Sequence, residues 1–263
     1  MDIRDKVVII SGASSGIGKS LTHVLSAKGA KVVLLARRME RLKEIEAELK
    51  AAKHEALAVM TDITDKDQVA NAVRLTLETF GKIDIVINNA GVGYFGTIEK
   101  LPVEEFDRLV KTNVYGMLNL SQCAIPPLKR TQGMIVNISS GLSKRALPFL
   151  SAYSSTKSMI DALSDGMRLE LRKHGVKVLN YCPPETDTEI FEVTNNEPGL
   201  DTRQSGHRKK AKAEDVASRI VDAIAAEKRE VVEGRSLQIL NFFAPKVLDN
   251  MFYKGMVQKI LKD

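Results

Sequence analysis

Short runs of β-branched and aliphatic residues alternate along this chain with longer stretches in which apolar side chains recur every three or four positions. The runs Lys6 to Ser11, Lys31 to Ala36, Glu55 to Met60, Asp84 to Asn88, Met134 to Ser139, Val176 to Tyr181 and Glu230 to Glu233 read as strands. Between them, Leu42, Ile45 and Leu49 mark one helical face, Val69, Val73 and Leu77 a second, and Val216, Ile220 and Ile224 a third. Gly29, Gly81 and Gly175 each stand just before a strand, where a preceding helix needs a C-terminal cap. Strand, helix and strand therefore repeat, which predicts one α/β domain: a doubly wound parallel sheet of about seven strands with helices on both faces. Residues 185–212, rich in Asn, Glu, Pro, Gly and Lys, break the pattern and are too long for a plain connection, so they are expected to form a substrate loop.

Composition narrows the picture. With 263 residues and 44% hydrophobic content the chain can bury the core of one large domain, whereas two would be cramped. The net charge of +6 suits anionic ligands or surfaces. It does not point to nucleic acid, because the Lys and Arg residues are spread over many helices and aromatic residues make up only 5%. Two distant cysteines, Cys123 and Cys182, suit a reducing compartment, and the four histidines form no ligand-spaced cluster, so no metal is expected. The apolar stretch at Val7 to Ile10 is too short for a signal core and no run approaches a bilayer span, which leaves a cytoplasmic expectation.

Candidate chemistry begins directly after the first strand, at Ser11-Gly12-Ala13-Ser14-Ser15-Gly16-Ile17-Gly18. Glycines there let the backbone turn tightly and approach a pyrophosphate, whose charge sits at the amide-rich start of a helix. Asn88-Asn89-Ala90-Gly91 follows the fourth strand. At the second strand's end, Ala36 is followed by Arg37 and Arg38, with Arg41 a turn further on. Tyr153-Ser154-Ser155-Thr156-Lys157 opens a helix expected to run from about Ser151 to His174, and its spacing of four puts the phenol and the ammonium on one face. A free tyrosine has a pKa near ~10, too high for proton exchange at neutral pH, and a neighbouring cation can stabilise its phenolate.

This ordered series, over about residues 5 to 233, resembles the short-chain dehydrogenase/reductase family. The resemblance implies a single-domain Rossmann fold that binds a nicotinamide dinucleotide through Gly12, Ser14, Ser15, Gly16, Ile17, Asp62, Ile63, Asn89, Ala90, Gly91, Tyr153, Lys157, Pro183, Thr186 and Thr188. Asp62 and Ile63 would contact adenine. An NAD-preferring member would carry an acidic residue where this chain has Ala36 and Arg37. A guanidinium binds a 2′-phosphate through paired charge-assisted hydrogen bonds, so Arg37, helped by Arg38 or Arg41, argues for NADP(H). The family's catalytic set maps onto Asn113, Ser140, Tyr153 and Lys157. By that resemblance Ser140 hydrogen-bonds a ketone, Tyr153 protonates its oxygen, Lys157 holds the nicotinamide ribose and with the nicotinamide charge lowers the tyrosine pKa, and Asn113 holds a water that links Lys157 to solvent. Pro184 departs from the glycine usual in the family, which bears on the backbone contacts near the nicotinamide.

The expected activity is NADPH-dependent reduction of a ketone to a secondary alcohol. A catalytically silent NADP-binding sensor or scaffold with the same fold is the alternative, against which the joint presence of all four catalytic residues argues. Pro183 to Thr188 resembles the Pro-Pro-Asp-Thr-Asp-Thr segment of 3-ketodihydrosphingosine reductases, which implies a lipophilic substrate. In the C-terminal extension, residues 237–263, Leu237 to Phe243 is strongly apolar. Beyond it, Val247, Leu248, Met251, Phe252, Ile260 and Leu261 form a stripe, with Lys246, Lys254, Lys259 and Lys262 largely off it. Such a helix can lie on an anionic membrane surface, cover a hydrophobic pocket, or pack on its own core or a partner subunit. Family members commonly form homodimers or homotetramers through helices that correspond to about Val103 to Lys129 and Ser151 to His174, where Ala152, Met159, Ala162 and Leu163 permit close packing.

Overall fold

The computed structural model describes residues 1–189, 194–200, 210–234 and 244–260. Its first half runs β1 (Val7–Ser11), α1 (Gly16–Ala27), β2 (Lys31–Ala36), α2 (Met39–Ala51), β3 (Ala56–Met60), α3 (Lys66–Phe80), β4 (Ile85–Asn88) and β5 (Tyr94–Phe95). There follow α4 (Val103–Leu109), α5 (Gly116–Thr131), β6 (Met134–Ile138), α6 (Ser151–Leu171), β7 (Lys177–Cys182), β8 (Asn195–Asn196), α7 (Ala213–Ala225), β9 (Glu230–Val232) and α8 (Pro245–Phe252). Seven strands form one sheet in the order β3-β2-β1-β4-β6-β7-β9, every neighbouring pair parallel. The strands match the predicted ones to within a residue at each end.

Side chains alternate across a strand, so a strand with helices on both sides must be apolar at consecutive positions. Ile9 and Ile10 show the result. Ile10 joins Leu34, Val136 and Tyr181 beneath α1, α2 and α7, where Leu21, Leu42 and Ile220 are fully buried; Ile9 joins Val33, Val86 and Ile135 against Val69, Leu120 and Ile160 of α3, α5 and α6.

Three local features depart from the sequence reading. The helix expected over Val103 to Lys129 is interrupted at Val110–Tyr115 by a π-helical segment, a widened turn that carries Asn113. Within the expected substrate loop, β8 pairs in parallel with β5, and Glu197 is buried where it accepts hydrogen bonds from Thr97 N (2.8 Å) and Thr97 Oγ1 (2.7 Å). In α8, Leu248 and Phe252 are buried while Val247 is 61% exposed, so the predicted apolar stripe is split. Leu237 to Phe243, Leu261 and Lys262 lie outside the described residues, as does the Lys259 side chain. Among the described residues no helix is long and apolar enough to cross a membrane.

Candidate active site

A cleft of about 1290 Å³ opens at the carboxyl ends of the strands, and its lining includes both the turn after β1 and the residues after β4. In an open parallel sheet this is where the strand order reverses and two loops part to leave a crevice. Here the two loops are stitched together. Ser11 Oγ accepts from Asn89 N (3.0 Å) and Ala90 N (3.1 Å), while Asn89 Nδ2 donates to Ser11 O (3.0 Å) and Gly12 O (3.3 Å). Below them, Asn88 Nδ2 donates to Asn137 Oδ1 (2.8 Å) and Asn137 Nδ2 to Ser164 Oγ (2.8 Å), a buried polar ladder from β4 through β6 to α6.

The glycine-rich turn leaves no room for side chains. Gly16 takes φ +51°, and a Cβ at Gly18 would lie 2.1 Å from Gly12 O and 2.6 Å from Asn89 Nδ2. Its backbone can thus be approached closely at the start of α1, as a pyrophosphate requires. Ser14, Ser15, Ile17, Asp62, Ile63, Asn89, Ala90, Gly91, Pro183, Thr186 and Thr188 all line the same cleft, so the residues present fit a dinucleotide along its length.

The arginines are divided among different tasks. Arg37 lines the cleft, is exposed, and has no hydrogen-bond or ion-pair partner among the described residues. Arg38 donates to Ser14 Oγ (3.0 Å), Ser15 Oγ (3.0 Å) and Glu189 Oε2 (3.0 Å). Arg41 stands outside the lining and grips the same carboxylate at 2.7 and 2.9 Å. Partial burial works against the Glu189 charge, but the hydrogen bonds from both arginines outweigh it and hold the carboxyl below its ordinary pKa.

At the other end, Ser140 follows β6 and opens a tight turn over Gly141–Ser143, its Oγ accepting from Leu142 N at 3.1 Å. Tyr153 and Lys157 project from α6 into the cleft, with Lys157 Nζ 5.7 Å from the centre of the tyrosine ring and donating to Ile138 O at 3.0 Å. The sequence expectation joins Lys157 with the nicotinamide charge in lowering the tyrosine pKa, and in the chain alone the net shift is the other way. Burial pushes the Tyr153 phenol up to about 12 against an opposing hydrogen bond with Ser140, and burial likewise pushes Lys157 down to about 8. Desolvation penalises whichever form is charged, and it exceeds the hydrogen bond with Ser140 at Tyr153 and the attraction of Asp161 at Lys157.

Asn113 is buried outside the cleft lining. Its Oδ1 accepts from Val92 N (2.8 Å), and its Nδ2 donates to Val92 O (3.0 Å) and Thr156 Oγ1 (3.0 Å). It therefore braces the segment after β4 against α6, with Oδ1 and Lys157 Nζ both facing Gly91, at 3.3 and 3.6 Å from the place a Cβ would take.

Two further contributors come into view, the first unforeseen in the sequence and the second left open there. Asp161 accepts from Ser139 Oγ (2.6 Å), Ser143 Oγ (2.6 Å), Asn180 Nδ2 (2.8 Å) and Lys144 Nζ (2.7 Å), so it grips both flanks of Ser140. Burial raises its pKa, yet these partners together leave it below the ordinary value. The only hint was its place in the series Tyr153, Lys157, Asp161, one turn apart on one face. The second is α8 and the residues after it. Met251, Phe252, Gly255 and Met256 line the cleft together with Leu142, Leu147 and Leu150, and Arg145 stacks over the Phe252 ring at 5.9 Å while pairing with Asp249. Of the placements open to the C-terminal helix, its share in the cleft lining fits the covering of a pocket.

Comparison with known proteins agrees with this geometry. A family model described as short chain dehydrogenase matches residues 6–199. Dehydrogenase/reductase SDR family member 7B of Bos taurus is 31% identical over 270 residues, covering 99% of this chain and 83% of that protein. Among solved structures, an alcohol dehydrogenase from the archaeon Thermococcus sibiricus complexed with 5-hydroxy-NADP superposes with a TM-score of 0.75 at 29% identity, covering 87% of this chain and 94% of that one. A 3-ketoacyl-(acyl-carrier-protein) reductase from Brucella melitensis complexed with NADH gives 0.79 at 28% identity, covering 89% and 99%.

Proposed function

Because this chain belongs to the short-chain dehydrogenases, a family of oxidoreductases, we propose that it is an NADP(H)-dependent reductase of a lipophilic ketone. The observation that carries this reading is one continuous cleft with Arg37 and Arg38 at one end and Ser140, Tyr153 and Lys157 at the other. Bound along it, the dinucleotide supplies a hydride to the substrate carbon. Ser140 orients the carbonyl oxygen, and Tyr153 hands it a proton. Lys157 holds the nicotinamide ribose and places a positive charge beside the phenol, and Asn113 fixes the wall against which Lys157 rests. Arg37, which has no partner among the described residues, takes the 2′-phosphate with help from Arg38 or Arg41.

An apolar substrate is supported by the part of the cleft lining made of Leu142, Leu147, Leu150, Phe252 and Met256. Oligomer contacts are proposed on α5 and α6, and on α6 Met159 is 40% and Leu169 72% exposed. Peripheral contact with an anionic membrane is proposed through the outer face of α8, where Val247 and Tyr253 stand exposed near Lys246 and Lys254.

Consumption of NADPH and NADH against a 3-keto sphingoid base, a steroid ketone, a 3-ketoacyl thioester and a small diketone tests the proposal. Turnover with NADPH on the long apolar ketones is expected. Faster turnover with NADH, or confinement of activity to the small diketone, would overturn the cofactor or the substrate part respectively.

A further inference from the structure

Glu189 stands 151 residues beyond Arg38 in sequence, yet its carboxylate bridges Arg38 and Arg41 at the cofactor's adenosine end. The chain that carries it lies directly over the glycine-rich turn: Thr188 Cγ2 is 2.9 Å from where a Cβ of Gly16 would sit. Behind it, Asp187 N donates to Ala211 O at 2.9 Å and Ala211 N to Glu185 O at 2.9 Å, so residues 185–187 of this strap are anchored two positions before Glu189. The carboxylate thus fastens the strap to a pair of guanidinium groups, one of which also reaches both serines of the turn.

We propose that Glu189 is a specificity-determining residue, an internal competitor whose carboxylate occupies Arg38 and Arg41, the arginines that would help Arg37 engage a 2′-phosphate. The inference rests on the reading that the arginines after β2 serve a 2′-phosphate. Both anions seek the same bidentate donors, but a phosphate carries about −1.5 to −2 charges and three acceptor oxygens against one charge and two oxygens. The clasp is also weak enough to yield: the Glu189, Arg38 and Arg41 side chains are 34%, 41% and 45% exposed, which places the pair among solvent-screened ion pairs. A 2′-phosphorylated dinucleotide therefore displaces Glu189 and unfastens the strap above Gly16. A dinucleotide with a free 2′-hydroxyl leaves the clasp shut. Discrimination between the two cofactors is then set by Arg37 and Arg38 in one direction and restrained by Glu189 in the other.

The test is the dissociation constant of NADPH and of NADH, each read by reduced-nicotinamide fluorescence, for the wild-type chain, Glu189→Gln, Arg37→Ala and Arg38→Ala. Removing the competitor is expected to tighten NADPH binding about two- to fivefold while NADH stays unchanged, the upper part of the range for one screened ion pair. If the wild type prefers NADPH and either arginine variant loses that preference, but Glu189→Gln binds NADPH no more tightly or tightens both cofactors alike, the competitor is refuted and the arginine reading stands. Equal affinities in the wild type, unchanged by both arginine variants, would remove the arginine reading and this inference with it.

Discussion

Replacing Asp161 by Asn keeps the shape of the side chain and removes its charge. The carboxylate accepts four side-chain hydrogen bonds, one of them from the Lys144 ammonium, and it is 13% exposed. Breaking a buried ion pair costs about 3–5 kcal/mol, but Lys144 keeps Glu230 at 2.8 Å and the two serine hydroxyls can turn toward the remaining oxygen, so about 2–3 kcal/mol is expected. At about 2–4 °C per kcal/mol for a domain of this size, the melting temperature at pH 7 should fall by roughly 4–12 °C. The sign with pH follows from the lowered carboxyl pKa. Such a group stabilises the fold above its unfolded value, about 3.9 for Asp, and that contribution is lost as pH falls through the folded value. The gap between wild type and variant in a series of thermal melts should therefore be full at pH 5 to 7 and narrow below about pH 4. Because the same bonds hold Ser139 and Ser143, kcat should fall more than KM changes. A variant that melts within a degree of wild type at pH 7, or a gap that widens on acidification, would refute the account of Asp161 as a charged clamp.

Tyr153→Phe should lower the reduction rate by about 10²–10⁴-fold, the usual worth of a positioned proton donor, while NADPH fluorescence still reports binding. Burial drives Lys157 down to about 8 and Tyr153 up to about 12, so stability should rise with pH between about 8 and 10.5, where only the unfolded lysine keeps its proton, and Lys157→Met should abolish that slope in urea titrations across the range. Phe252→Ala, which removes the ring that roofs the apolar end of the cleft, should raise KM for a long-chain ketone by about tenfold and leave a small diketone nearly unaffected in steady-state assays.

Where local pattern sufficed, prediction and structure coincide. The strands, the turn at Gly12 to Gly18 and the shared face of Tyr153 and Lys157 depend on residues within a turn or two of one another, and each appeared where expected. Asn113 was found as a residue but not in its setting, because the π-helical segment that turns its side chain onto Val92 and Thr156 leaves no mark in apolar spacing. The pairing of β5 with β8 involves two residues on each side, too few for any periodicity to register.

By itself the sequence determined the α/β class, the parallel sheet, the glycine turn and the family, since each rests on steric and solvation preferences that act over a few neighbouring residues. Only the tertiary structure decided that Glu189 closes on Arg38 and Arg41, that Asp161 holds both sides of Ser140, that α8 roofs the cleft, and that burial raises the tyrosine pKa and lowers the lysine pKa. Ion pairs and desolvation depend on which distant segments come together and how much water they exclude, and neither quantity exists until the chain has folded.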